Sequence, residues 1–367
     1  MRPGTPRRRP HRSRPSTVYW ELTRACAQAC VYCRVSAGLP MSGELDTAAA
    51  LRVADQLVAL GVHEVTLSGG QPHRHPGWAA IARRLTTGAV SVRMFASGDW
   101  LDADHLAEAR AAGVGSFTLS LDGPASVHDR LRPARLPEGA QSFQAVIEAL
   151  RLLQHAGVPA RVVTVASRPS IPHLPETYEL VRSLGVDTWQ VQLLQANGRA
   201  RDDLRRLLPE PGQLEDILSV LKRALVDGRV HAPMHCSIGY LVPEDVLLRN
   251  PRATVAVVWR GNRAGLAGFA ITARGEVLGC PCLPDSFAVG SAKTDSLRTL
   301  WNQPSSFPYS REWTPDVLSG ACAQCSLATV CRAGCLSVAY GATGSIGANP
   351  FCLRVVRGLV PSEVSGR

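Results

Sequence analysis

From residue 17 to about residue 225 the chain alternates short apolar runs with longer stretches in which apolar residues recur every three to four positions. The short runs read as strands buried on both faces and the longer stretches as amphipathic helices. Strands are expected at Thr17–Thr23, Glu64–Ser68, Ser91–Ala96, Ser116–Leu121, Ala160–Ala166 and Thr188–Leu194. Helices are expected at Asp46–Leu60, Gly77–Thr86, Asp102–Ala112, Ser142–Ala156, Pro175–Leu184 and Gln213–Val226. Glycine stands just beyond five of these helices, at Gly61, Gly113, Gly157, Gly185 and Gly228, as helix stop signals do. Six successive strand–helix units imply a parallel sheet with helices outside it. Six units fall short of the eight that close a barrel, so the fold class is α/β, a partial (β/α)6 TIM-like barrel.

Chemistry in such a barrel gathers where strands run out into loops at their C-terminal ends. Those ends are polar or glycine-rich here: Ser68-Gly69-Gly70-Gln71-Pro72, Ala96-Ser97-Gly98, Ser120-Leu121-Asp122-Gly123, Ser167, and Gln192 with Gln195. The first strand leads into Cys26, Cys30 and Cys33, three cysteines on one short loop. Three thiolates can hold three irons of a 4Fe–4S cube and leave the fourth free to bind something else. No further cysteine follows until Cys236. A zinc site or three unrelated thiols is the plainer alternative, although zinc sites usually pair their cysteines as two CxxC steps.

After residue 228 the helical period fades, glycine and proline rise, and eight of the eleven cysteines appear. A boundary near 230 therefore separates a small cysteine-rich Fe–S domain, 231–355, from the barrel, 17–230; a basic tail, 1–16, and a C-terminal tail, 356–367, flank them. A hairpin is expected where Phe269–Thr272 and Glu276–Leu278 surround Ala273-Arg-Gly275. An odd number of cysteines in clusters argues for metal in a reducing cytoplasm rather than a disulfide framework. The segment 1–16 carries six arginines and no acidic residue, so removing it from the net charge of +10 leaves about +4. It reads as a solvated disordered arm, and the charge does not point to nucleic acid. It has no apolar core of a secretory signal, and no apolar run reaches membrane-spanning length.

The CxxxCxxC spacing of Cys26, Cys30 and Cys33 resembles the radical S-adenosylmethionine (SAM) superfamily, whose fold is the same partial barrel. The resemblance implies that the amino and carboxylate groups of SAM occupy the open iron. Gly69-Gly70-Gln71-Pro72 resembles the superfamily's GGEP motif, with Gln71 in place of glutamate; the lost charge predicts a weaker grip on the SAM ammonium. Ser120-Leu-Asp122-Gly, with Pro124, His128, Asp129 and Arg132 after it, is similar to an SLDGP…HDxxR signature of one branch. By that resemblance Ser120 and Asp122 project at the rim near SAM, Ser97 takes an asparagine position, and Tyr32 lies beside adenine. Gln192 faces cofactor or substrate. His73 and His75 are read as exposed loop residues. No general acid or base can be named.

Cys322-xx-Cys325-x5-Cys331-xxx-Cys335, with Cys352 after it and Gly275-x4-Cys280 before it, resembles the SPASM domain, which binds auxiliary Fe–S clusters. The resemblance assigns Cys322, Cys325, Cys331 and Cys352 to one complete four-thiolate cluster and sends Cys335 to a second with Cys280. Asn262 stands where that pattern has a further cysteine. Either Cys236, Cys280 and Cys335 hold a first auxiliary cluster completed by Cys282 or an exogenous group, or that cluster is absent or labile. Zinc is again the alternative for the block.

The expected cofactors are thus a SAM-binding 4Fe–4S cluster, one or two auxiliary 4Fe–4S clusters, and SAM. The expected reaction is reductive cleavage of SAM to a 5′-deoxyadenosyl radical that abstracts hydrogen from a ribosomally made peptide, as in peptide maturases. The alternative substrate is a small molecule or tetrapyrrole intermediate. An electron donor such as flavodoxin or ferredoxin is implied. The N-terminal segment is too short for a winged-helix leader-binding domain, which makes a separate leader-binding protein a further expected partner. A non-catalytic Fe–S carrier or a nucleic-acid-binding zinc protein is the reading from a different class.

Overall fold

The computed structural model describes residues 14–135, 141–252 and 258–360. Most of the basic segment and the end of the C-terminal tail lie outside them. The first six strands fall where the pattern puts them: β1 Thr17–Thr23, β2 Glu64–Gly69, β3 Ser91–Ala96, β4 Val114–Ser120, β5 Ala160–Ala166 and β6 Thr188–Leu193. They pair in parallel in sequence order. The helices α1 Thr47–Leu60, α2 Trp78–Thr87, α3 Ala103–Ala111, α5 Ser142–His155, α6 Leu174–Ser183 and α8 Leu214–Asp227 follow β1 to β6. Two shorter helices lie between these, α4 Ala125–Leu131 and α7 Leu204–Leu207.

Local signals set the helix ends. Asp46 starts α1 by accepting the Ala49 N–H at 2.7 Å, and Asp102 starts α3 by accepting the His105 N–H at 2.9 Å. Gly61 closes α1 in the left-handed region, its N–H turned back onto the last carbonyls. α1 buries Ala50, Val53, Ala54, Leu57 and Leu60 as one stripe. That stripe and those of its neighbours form a single core with Trp20, Leu67, Phe117 and Trp189 from the strands. Burial of such side chains contributes about 1.5–3 kcal/mol each.

The expected hairpin is present as β7 Gly268–Ile271 and β8 Val277–Leu278. It does not stand apart. β7 pairs in parallel with β1, so one eight-stranded sheet runs β6-β5-β4-β3-β2-β1-β7-β8. The cysteine-rich region therefore continues the barrel's own sheet, and the sheet stays open because β1 and β6 do not meet. The first part of the C-terminal tail is also packed. Arg357 grips Glu215 at 2.6 and 3.0 Å and Glu244 at 3.0 and 3.1 Å, and Val360 is buried. Among the described residues no helix is long and apolar enough to cross a membrane.

Candidate active site and auxiliary cysteine nests

The loop after β1 is held from several sides. The Cys26 N–H donates to the Gly38 carbonyl at 2.9 Å, Ala29 to Pro133 at 2.8 Å and Val31 to Leu131 at 3.0 Å. Gly69 and Gly70 close the remaining side. Gly70 donates to the Thr23 carbonyl at 2.7 Å and Gln71 to the Ala25 carbonyl at 2.8 Å. A Cβ on Gly70 would lie 2.3 Å from the Ala25 carbonyl oxygen, so only glycine lets the two loops meet. Gly70→Ala is expected to cost about 1–3 kcal/mol and to lower the iron retained after reconstitution, read by thermal unfolding and iron analysis.

Cys26, Cys30 and Cys33 share this loop within electrostatic reach of one another. Burial pushes the Cys30 thiol up to about 11 and raises Cys26, and each neighbouring thiol adds to the effect. Backbone N–H groups of Gln28 and Ala37 donate to the sulfurs of Cys26 and Cys33 at 3.4 and 3.3 Å. Thiols that burial keeps from ionising in isolation at Cys26 and Cys30, with amide donors already aimed at the Cys26 and Cys33 sulfurs, fit a metal cluster that stabilises the thiolate form.

The other rim residues divide sharply. Gln71 is buried and its carboxamide is fully engaged: its Oε1 accepts from Ala27 N–H at 2.8 Å and Arg74 Nε at 2.6 Å. Its Nε2 donates to Asp99 at 2.8 and 2.9 Å and to the Ser97 hydroxyl. Ser120 is partly open at its strand end, as is Gln192, which accepts from Gln190 at 3.2 Å. Gln195 folds back onto the Leu193 carbonyl at 2.9 Å.

Asp122 is not a rim group. It is fully buried, with Oδ1 accepting the Val165 N–H at 2.8 Å and Oδ2 taking the Tyr32 hydroxyl and the Arg132 guanidinium. The branch signature here is a buried brace. His128 accepts the Asp122 N–H on Nδ1 at 3.2 Å, which leaves its Nε2–H for Ser142 Oγ at 3.1 Å; Gln28 of the cysteine loop donates to the same oxygen at 3.0 Å. Burial lowers His128 to about 4, so it is neutral in the folded chain. The unfolded chain binds that proton first, so His128 favours folding fully above about pH 6.5, and this contribution falls as pH drops toward 4. Asp129 caps α5 through the Phe143 N–H at 2.7 Å. The Tyr32 ring is buried beside Val165 and Leu194, and its hydroxyl is taken by Asp122 and Arg132. The two histidines after the glycine motif are also packed rather than exposed. His75 is buried, bonding the Leu45 carbonyl at 2.9 Å and accepting from Gly77 at 3.0 Å, and His73 stacks on Trp100 at 4.4 Å.

The C-terminal cysteines form two nests. Cys322, Cys325, Cys331 and Cys352 line one cavity with Tyr240 and Asn349. In the second, Cys236 and Cys335 lie within hydrogen-bond reach, as do Cys280 and Cys282, and the charge of Cys335 reaches both Cys280 and Cys282. Asn262 takes no part. Its Oδ1 caps its own turn by accepting the Ala264 N–H at 2.7 Å. Among the described residues, no three His, Cys, Asp or Glu side chains converge as a single metal ion requires.

Residues 197–199, after β6, tie the first loop to the second nest. Asn197 Nδ2 donates to the Cys282 carbonyl at 2.9 Å. Arg199 donates its N–H to the Cys33 carbonyl at 3.1 Å and its Nε to the Cys30 carbonyl at 2.9 Å. Gly198, at φ +56°, passes so close that a Cβ would lie 2.3 and 2.4 Å from the Arg34 and Cys33 carbonyls. Nothing in the local pattern marks this strap.

Residues 20–167 match the family model of the radical SAM superfamily. That stretch is a radical SAM domain. Residues 263–326 match the SPASM iron–sulfur cluster-binding domain. This radical SAM enzyme is 29% identical to the AdoMet-dependent heme synthase of Methanosarcina barkeri, over 92% of this chain and 96% of that protein. It is 28% identical to the mycofactocin maturase MftC of Mycobacterium ulcerans, over 89% and 84% of the two chains. It is also 28% identical to the PqqA peptide cyclase of Gluconobacter oxydans, over 93% and 91%. Its fold resembles SAM-bound SuiB of Streptococcus suis at a TM-score of 0.69 and 13% identity, covering 91% of this chain and 76% of that one. The two domains imply SAM and 4Fe–4S clusters as its cofactors.

Proposed function

We propose that this radical SAM enzyme modifies a ribosomally made peptide, using a SAM-binding cluster on Cys26, Cys30 and Cys33 and two auxiliary clusters. The observation that carries the chemistry is one loop bearing three thiols within electrostatic reach of one another, whose nearest further cysteine in sequence, Cys236, is engaged elsewhere with Cys335. When bound, the reduced 4Fe–4S cluster and SAM together supply a 5′-deoxyadenosyl radical that abstracts hydrogen from carbon. The chain's own part is to bind and to exclude water. The buried Asp122–Tyr32–Arg132 brace fixes the loop from below, and Gly69-Gly70 fix it from the side.

The auxiliary clusters are assigned to Cys322, Cys325, Cys331 and Cys352, and to Cys236, Cys280, Cys282 and Cys335. The second set is complete without Asn262 and without an exogenous group. Anaerobically reconstituted protein is then expected to hold about twelve irons per chain, and Cys282→Ser to lower the second nest's occupancy toward a total of about eight. A wild-type count of about eight would remove that nest.

The peptide reading is supported by a relative named for a peptide substrate, the PqqA peptide cyclase, beside one named a maturase. A tetrapyrrole intermediate is the second reading, supported by the heme synthase likeness over nearly that protein's whole length. An electron donor of flavodoxin or ferredoxin type and a separate leader-binding protein are the proposed partners. The test is anaerobic turnover with dithionite and SAM, offering either a short precursor peptide encoded beside the gene or a porphyrin carrying propionate side chains. A mass change in the peptide supports the first reading; a change confined to the porphyrin replaces it with the second.

A further inference from the structure

SAM carries a sulfonium charge, and its amino group, bound to the open iron as the free amine, keeps N–H donors, so an unneutralised carboxylate beside the loop favours its binding. The carboxylates around the first loop can be accounted for one by one. Glu21 pairs with Arg24 at 2.7 Å. Glu44 accepts from the Thr23 hydroxyl at 2.7 Å and from the Arg24 and Met41 N–H groups at 2.8 Å each. Asp122 is consumed by Tyr32, Arg132 and Val165. Asp99, at the end of β3, is different. It is exposed where Glu44 is half-buried, and like Glu44 it has no cation within ion-pair distance among the described residues. Its charge nevertheless reaches the Cys26 thiol.

Asp99 is also aimed. Both carboxylate oxygens accept from Gln71 Nε2, at 2.8 and 2.9 Å, and the Ser97 hydroxyl donates to Oδ1. The orientation of the Gln71 amide is fixed, because its other end meets only donors, the Ala27 N–H and Arg74 Nε. A glutamate at 71 would set two carboxylates against each other here. Glutamine at 71 and aspartate at 99 are therefore one device: the amide spans from the cysteine-loop backbone to the carboxylate and leaves a single negative charge at the mouth.

We infer that Asp99, held by Gln71 and Ser97, accepts a hydrogen bond from the amino group of SAM. On this reading the negative charge missing from residue 71 stands at residue 99 instead. This inference rests on the radical SAM reading, and the experiment separates the two.

Equilibrium dialysis of labelled SAM, and of a SAM analogue lacking the α-amino group, is run on reconstituted, unreduced protein. Iron content and thermal unfolding are matched beforehand. Asp99→Asn is expected to weaken SAM binding about tenfold or more, as loss of a charge-assisted hydrogen bond does, and to leave the analogue within about twofold. The Gln71→Glu/Asp99→Asn double variant, which returns the charge to residue 71, is expected to recover most of the loss. If Asp99→Asn weakens SAM and analogue equally, or neither, Asp99 is not the acceptor for the SAM amino group. If wild-type protein with a full cluster complement binds no SAM, the radical SAM reading itself fails.

Discussion

Cys30→Ala is expected to drop 5′-deoxyadenosine formation from SAM to the no-enzyme background and to remove about four of the irons per chain. Cys30 is the most buried thiol of the loop, and Arg199 already holds its carbonyl from behind at 2.9 Å. A cube with two remaining thiolates is too weakly held to survive exchange with solvent. Chromatography of anaerobic dithionite reactions reads the product, and iron analysis reads the cluster. The auxiliary nests serve as the internal control, because their thiols lie in other elements and their irons should remain. A variant that still cleaves SAM would overturn the assignment of the loop.

Asp122→Ala is expected to destabilise the protein by about 3–5 kcal/mol, the cost of leaving a buried cation without its partner. Arg132 loses its carboxylate, the Tyr32 hydroxyl loses its acceptor, and the Val165 N–H is orphaned. Urea denaturation of the cluster-free protein under reducing conditions measures the loss directly. Asp122→Asn keeps the shape and one acceptor oxygen and should cost less. The choice of cluster-free protein is deliberate: a residue that only touched SAM would leave this measurement unmoved, whereas a structural brace cannot.

Most of the barrel is legible in the sequence because its signals are local. Apolar runs, Asp46 and Asp102 as caps, and glycine stops each act within one turn of chain, and the observed elements match within one or two residues. The three-cysteine loop is legible for the same reason. What the sequence hides is non-local. Asp122 looks like a rim residue, and its burial follows only from Arg132 ten positions on. Cys236 sits 44 residues before Cys280, outside any spacing rule, and only folding brings them together. Asp99 has no motif around it; its role emerges from what Gln71 reaches. The continuous apolar run at Phe269-Ala-Ile did carry a usable sign, since strands buried on both faces tend to be parallel. It marks β7 as a member of the central sheet rather than of a free hairpin.

That membership bears on how the protein is made. β1 leaves the ribosome well before the neighbour that covers one of its edges, which comes 251 positions later. Closure over so long a loop is slow and leaves strand edges bare in the meantime. A translation product ending at residue 230 would keep β1 bare for good, with its unpaired N–H and C=O groups open to the same strand in other copies. The N-terminal two-thirds should therefore aggregate when expressed alone, and the nascent chain should depend on chaperones until the strand at 268 arrives.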